Sequence, residues 1–167
     1  MRTLYLVSVW LHILAATIWI GGIFFIVLVV VPWLRTGGRA GAGTFLRETG
    51  TRFRTVGWAC FAVLAVTGTF NLWIRGVRPR FFLDADWLSS PFGRTVALKL
   101  GVFAIVLAIS VVNDFIVGPR ATTVLERDPG SPEAARLRRM ASLLGRANAL
   151  LALALLAMAV ALVRGWP

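Results

Sequence analysis

The chain carries one cysteine, one histidine and one lysine among its 167 residues, and only seven acidic side chains. A single cysteine excludes an intramolecular disulfide framework and every Cys-x-x-Cys metal motif. The lone histidine, His12, rules out a bis-imidazole heme or a two-histidine metal site within one chain. The sequence has no glycine-rich phosphate loop, no HExxH helix and no serine-nucleophile motif. Nucleotide-driven, zincin-type and acyl-transfer chemistries therefore lack their residues. Set against so few carboxylates, 18 basic residues leave a net charge of +11.

What the chain has is apolar: 58% of its residues are hydrophobic, above the range usual for a soluble domain. Every basic residue except Lys99 is an arginine, and the arginines stand between long apolar runs. That arrangement suits anionic lipid headgroups rather than nucleic acid, so no nucleic-acid partner is expected and the lipid bilayer is. Four runs are long enough to cross a bilayer core, which takes about 20 helical residues. They cover about 4–34, 55–74, 95–117 and 147–163. The first is too long for a cleaved signal peptide and has only Arg2 before it. The runs are apolar on all sides, whereas lipid-facing strands alternate apolar and polar residues. The sequence therefore predicts an all-α integral membrane four-helix bundle, a single unit over 1–167.

Arginine placement predicts the orientation. Eleven arginines fall in the connections after spans one and three, and six lie on the other side. The richer side is expected to be cytoplasmic, which places both termini outside the cell or inner membrane. Trp10, Trp73, Trp87 and Trp166 would then form an outer aromatic belt, with Trp33 and Trp58 nearer the inner one. "GGRAGAG" (Gly37 to Gly43) reads as a turn, followed by a segment to Arg54 lying along the inner surface. Ser131 with Pro132 and Glu133 reads as a helix start well before the fourth crossing. The outer loop "RPRFFLDADWLSSPFGR" reads as an interfacial cap, and Gly118-Pro119 as the end of span three.

Polar groups inside spans cost a few kcal/mol unless they are paired or face a cavity. His12 lies roughly 12 Å along span one at 1.5 Å per residue. It reads either as a neutral imidazole bonded to a neighbouring helix or as a ligand for a metal or heme iron. Lys99 opens "KLGVFAIVLAI" and either snorkels to headgroups or supplies charge beside a cavity. Met158 is packing material or, as a thioether beside an imidazole, a soft ligand for Cu(I) or heme. Asn71 would orient the imidazole or bond between helices. These four residues come from four spans and fall at one depth. Cys60 reads as a small buried apolar residue, and Asp114 as the partner of Arg120 or another arginine of the inner loops. Gly21, Gly22 and Gly68 allow close helix approach, with Trp19 packed at such a crossing.

"LHILAATIWIGGIFFIVLVVVPWLR", "RFRTVGWACFAVLAVTGTFNL" and "ALKLGVFAIVLAISVVNDFIVGPR" resemble helices of the CopD copper-resistance family of integral membrane proteins. The histidine with Trp-x-Gly-Gly, the Lys-Leu pair and Asp-Phe-x-x-Gly-Pro-Arg carry the likeness. It implies a copper-handling protein that assists transport or delivery at an outer-leaflet site, alone or with a periplasmic or extracellular copper-binding partner. His12 would be the ligand, joined by Met158, with Asn71 behind it and Lys99 tuning the charge. A homo-oligomer would pool one histidine per chain. A related family, the HemJ-type protoporphyrinogen oxidases, is also similar in pairing a first-helix histidine with a helix-opening lysine. That likeness implies heme b at His12 and Lys99, and a redox enzyme. A cofactor-free accessory subunit is the third expectation.

Overall fold

Apolar runs free of internal proline have only one way to satisfy their backbone groups in hydrocarbon, and that is to bond within the segment as helices. The computed structural model describes residues 2–36, 42–128 and 130–164, and no strand occurs among them. Helix α1 (Arg2–Phe25) passes through a π-helical stretch, Ile26–Val30, into the short α2 (Val31–Thr36). Helix α3 (Ala42–Ile74) follows, then a 3-10 turn (Pro79–Leu83) and α4 (Ala85–Ser89). Helix α5 (Pro91–Val111) runs through a second π-helical stretch, Val112–Val117, into α6 (Gly118–Arg127), and α7 (Pro132–Arg164) closes the chain. Four segments are long and apolar enough to cross a membrane: Arg2–Trp33, Glu48–Ile74, Pro91–Val124 and Pro132–Arg164. The protein is an all-α, multi-pass membrane bundle.

Helix and apolar run are not coextensive. The segment before Arg54, read from sequence as lying along the membrane surface, belongs to α3, which is continuous to Ile74. Arginine, glutamate, leucine and alanine are good helix formers, and no proline interrupts that stretch. The fourth helix begins where the sequence places it. Ser131 Oγ accepts from the Ala134 N–H at 3.1 Å, with Pro132 at the first helical position. Ser90 caps α5 likewise, accepting from the Gly93 N–H at 3.1 Å. The turn read at Gly37 to Gly43 falls largely outside the described residues, as does Trp166.

Gly118-Pro119 does not end the third span. The helix widens instead: the Gly118 N–H bonds Asn113 O, five residues back. In that register Pro119 would donate to Asp114 O, but proline has no N–H. Arg54 fills the gap from α3, its Nη1 donating to Asp114 O at 3.2 Å. The first π-helical stretch has the same build, with the Val31 N–H on Ile26 O directly before Pro32.

The largest interface is α1 on α3, followed by α5 on α7, while α1 also touches α7. Ala15, Trp19 and Ile23 of α1 recur every fourth residue and meet Cys60, Phe61 and Leu64 of α3. Val106 of α5 and Ala149, Ala152 and Leu155 of α7 complete this core. Rings join across it, with centroid separations of 5.1 Å for Trp19–Phe61, 5.5 Å for Trp58–Phe61 and 6.0 Å for Phe61–Phe103. Gly22 permits the α1–α3 approach, because a Cβ there would collide with the Phe53 ring. Leu4, Ile13, Leu28, Val66, Leu150 and Val160 are exposed, as lipid-facing positions should be. Trp58 donates its indole N–H to Asp114 Oδ2 at 3.0 Å.

A double-mutant cycle tests the substitution of Arg54 for the missing proline N–H. Arg54→Leu should destabilise the bundle by about 1–3 kcal/mol by orphaning a carbonyl. In a Pro119→Ala background, which restores an N–H, the loss should shrink by about 1 kcal/mol. Unfolding in detergent micelles measures both, and equal losses in the two backgrounds would refute the assignment.

Candidate metal centre

Helices α1 and α3 run antiparallel, so a stripe along one meets a stripe along the other. Tyr5, Ser8 and His12 share a face of α1 at spacings of three and four, and Thr67 and Asn71 do so on α3, with Arg75 a further turn along. The two stripes touch. Arg75 Nε donates to Tyr5 Oη at 3.3 Å, Ser8 Oγ to Thr67 O at a long 3.5 Å, and His12 Nδ1 lies 2.8 Å from Thr67 Oγ1. Ser8 and Thr67 are buried. Gly68 seats the ring, since a Cβ there would come within 3.3 Å of His12 Cε1.

The hydroxyl settles the imidazole tautomer. A threonine hydroxyl has one proton, and Thr67 Oγ1 gives it to Val63 O at 2.6 Å, a carbonyl that can only accept. Toward His12 the same oxygen must accept, so Nδ1 carries the ring proton. The lone pair then resides on Nε2, for which the described residues provide no hydrogen-bond partner. A neutral imidazole held at one nitrogen and open at the other is the form that ligates metal. The Lys99 ammonium on α5 acts electrostatically on His12, and Arg75 acts on Lys99.

The four residues singled out from sequence are thus only partly assembled. His12 contacts the α3 face that carries Asn71, and Lys99 lies within electrostatic reach. Asn71 does not bond the imidazole; that role falls to Thr67, one turn before it, and Asn71 Oδ1 is sealed with no partner. Met158 is half-buried on α7, just beyond the core residue Leu155, and no hydrogen bond ties it to the centre. Thr67, Ser8, Tyr5 and Arg75 escape a search for unusual residues. The signal was their helical spacing opposite His12.

Two other polar sites lie outside the centre. Cys60 is free and buried in the core. Asp114 forms no ion pair with Arg120 or any other described arginine. Its Oδ2 accepts from Trp58 Nε1 at 3.0 Å and its Oδ1 from Asn113 Nδ2 at 3.1 Å. The Arg54 guanidinium donates to the Asp114 backbone carbonyl, and it also faces the Phe115 ring. Among the described residues, no group of three or more His, Cys, Asp or Glu side chains could hold a metal ion.

A four-span helical membrane protein with one imidazole nitrogen left without a hydrogen-bond partner among the described residues, at the end of a polar seam, is the class these features define. Residues 47–162 match the family described as Copper resistance protein D, CopD. The chain is also 32% identical over 122 residues to an uncharacterized protein of Aquifex aeolicus (strain VF5), covering 72% of this chain and 73% of that one. It belongs to the CopD family. The matched stretch includes Thr67, Asn71, Lys99, Asp114 and Met158, and begins after the span that holds His12. No solved structure matches the chain.

Nitrogen NMR of the single labelled histidine checks the tautomer. Wild type should show protonated Nδ1 and unprotonated Nε2, and Thr67→Val should give a mixture and cost about 1 kcal/mol of stability. A wild-type spectrum with Nε2 protonated would reverse the assignment.

Proposed function

We propose that the protein binds copper through His12 Nε2 at the end of the bundle bearing the chain termini, and assists its transport or delivery across that face of the membrane. The observation that carries this reading is the Val63–Thr67–His12 chain, which leaves one ring nitrogen unprotonated and open. Membership of a copper-resistance family supplies the metal. The donor set fits copper as cargo better than copper as a resident ion. Imidazole and thioether donors suit Cu(I), which accepts few ligands, and Met158 is the soft donor of α7 at the same end. With the arginine-poor end outward, the centre lies in the outer leaflet, within reach of an external copper-binding protein. Pairing two copies would bring a second imidazole.

One observation favours a second reading. Lys99 places positive charge within reach of His12, and Arg75 adds charge within reach of Lys99, which suits the carboxylates of heme b better than a bare metal cation.

Cu(I) titration of purified protein against a competing chelator, with absorption spectra, separates the readings. Copper should bind stoichiometrically and be lost in His12→Ala, while Thr67→Val weakens binding about tenfold through loss of ring orientation. Met158→Leu should weaken it less. A red preparation whose Soret band disappears in His12→Ala would replace copper with heme. Copper binding unaffected by His12→Ala would remove this centre from the account.

A further inference from the structure

The seam between α1 and α3 holds more polar groups than orienting one imidazole needs. From the bundle end inward it presents Tyr5 with Arg75, then Asn71, then Ser8 and His12 with Thr67. The rungs lie about one helical turn, roughly 5 Å, apart. Arg75 is exposed at the mouth, and Ser8 and Thr67 are buried at the far end. Neighbours on the other faces, Leu4, Leu6, Val7 and Leu11 on α1 with Val66 and Trp73 on α3, are exposed apolar residues.

The middle rung is unsatisfied. Asn71 Oδ1 is sealed from solvent and has no hydrogen-bond partner, a state that costs about 1–3 kcal/mol. Polar groups facing a bundle interior in membrane spans characteristically line ion or proton paths. We propose that the α1–α3 seam is the route by which water and a hydrated cation reach His12 from the end bearing the chain termini, with Asn71 Oδ1 as the intermediate binding point. The seam is shut at Asn71 in this conformation, and entry of a water or cation supplies the missing partner and opens it.

The route rests on the reading of His12 as the ligand, but its test uses no copper. Because the chain has one histidine, acylation by diethyl pyrocarbonate, read by mass spectrometry of the His12 peptide, reports access to that ring, and its dependence on Asn71 separates entry by the seam from entry through lipid. In lipid nanodiscs wild-type His12 should react. Asn71→Leu, which makes the middle rung apolar, should slow the reaction on the order of tenfold, since desolvation in a span costs a few kcal/mol. Asn71→Ser, smaller but polar, should keep the rate, with circular dichroism confirming intact helices in both variants. An unreactive wild type, an unchanged rate in Asn71→Leu, or equal slowing in both variants would overturn the route. Asn71-dependent acylation without copper binding would leave the route standing and remove the copper reading. Copper binding with Asn71-independent acylation would do the opposite.

Discussion

A polar atom without a partner inside hydrocarbon costs several kcal/mol, and most of this architecture follows from meeting that demand without water. The helices meet it for the backbone. Where Pro119 breaks the ladder, the chain widens into a π turn and imports Arg54 from another helix to close the open carbonyl. His12, Thr67 and Val63 meet it for the imidazole through a chain of bonds whose proton directions are forced. Asp114 meets it with an indole and an amide rather than a cation. Trp58 stands one turn from Arg54 on α3, so while the guanidinium is occupied by the carbonyl, the indole reaches the carboxylate. Against that consistency the exceptions are informative. Asn71 Oδ1 is one. Asn148, which gives Nδ2 to Ser110 at 3.0 Å and keeps Oδ1 sealed and unpaired, is the other.

The spans were legible because hydropathy over about 20 residues is a one-dimensional signal, and nothing soluble competes with it at this composition. Ser131 as a helix start was legible because a cap is local. The extent of α3 and α7 was not, since hydropathy marks where a helix meets lipid and says nothing of a polar extension. Nor was the passage through Pro119, because the donor that makes it tolerable sits on Arg54, far away in sequence. In the centre, rarity identified His12 and Lys99. Depth placed Asn71 and Met158 near them without saying which way they turn. Thr67 looked ordinary, and only the α1–α3 register shows that its hydroxyl decides which imidazole nitrogen is open.

The charges around His12 bear on what kind of ligand the centre suits. Lys99 opposes a bare cation at His12, Arg75 adds to the charge around Lys99, and no cluster of metal-ligating side chains among the described residues offsets them. A structural metal site would be built the other way, with closed coordination and compensating anions. Under the copper reading, one open nitrogen beside positive charge would give modest affinity and fast release, and a carrier needs both, since a site that binds too well does not let go. The same charges would draw a metal that arrives with an anionic ligand, so the form in which copper is presented matters as much as the metal itself.

Under the copper reading, the core limits where the metal can go. Along α3, Thr67 lies at one level and Trp58, with Asp114, at another, and between them Phe61 packs on Trp19, Trp58 and Phe103. Trp19 and Phe61 are buried in that layer, and side chains in such cores do not part without cost. Metal leaving His12 along the bundle axis would have to displace at least two of these rings. Leaving by the seam requires Asn71 to turn, and its Oδ1 already lacks a partner. The geometry therefore favours exchange at the end bearing the termini, with an external carrier or a second copy, over passage through one bundle. A pathway to the opposite face would need a contact between chains that brings a second polar seam alongside the first.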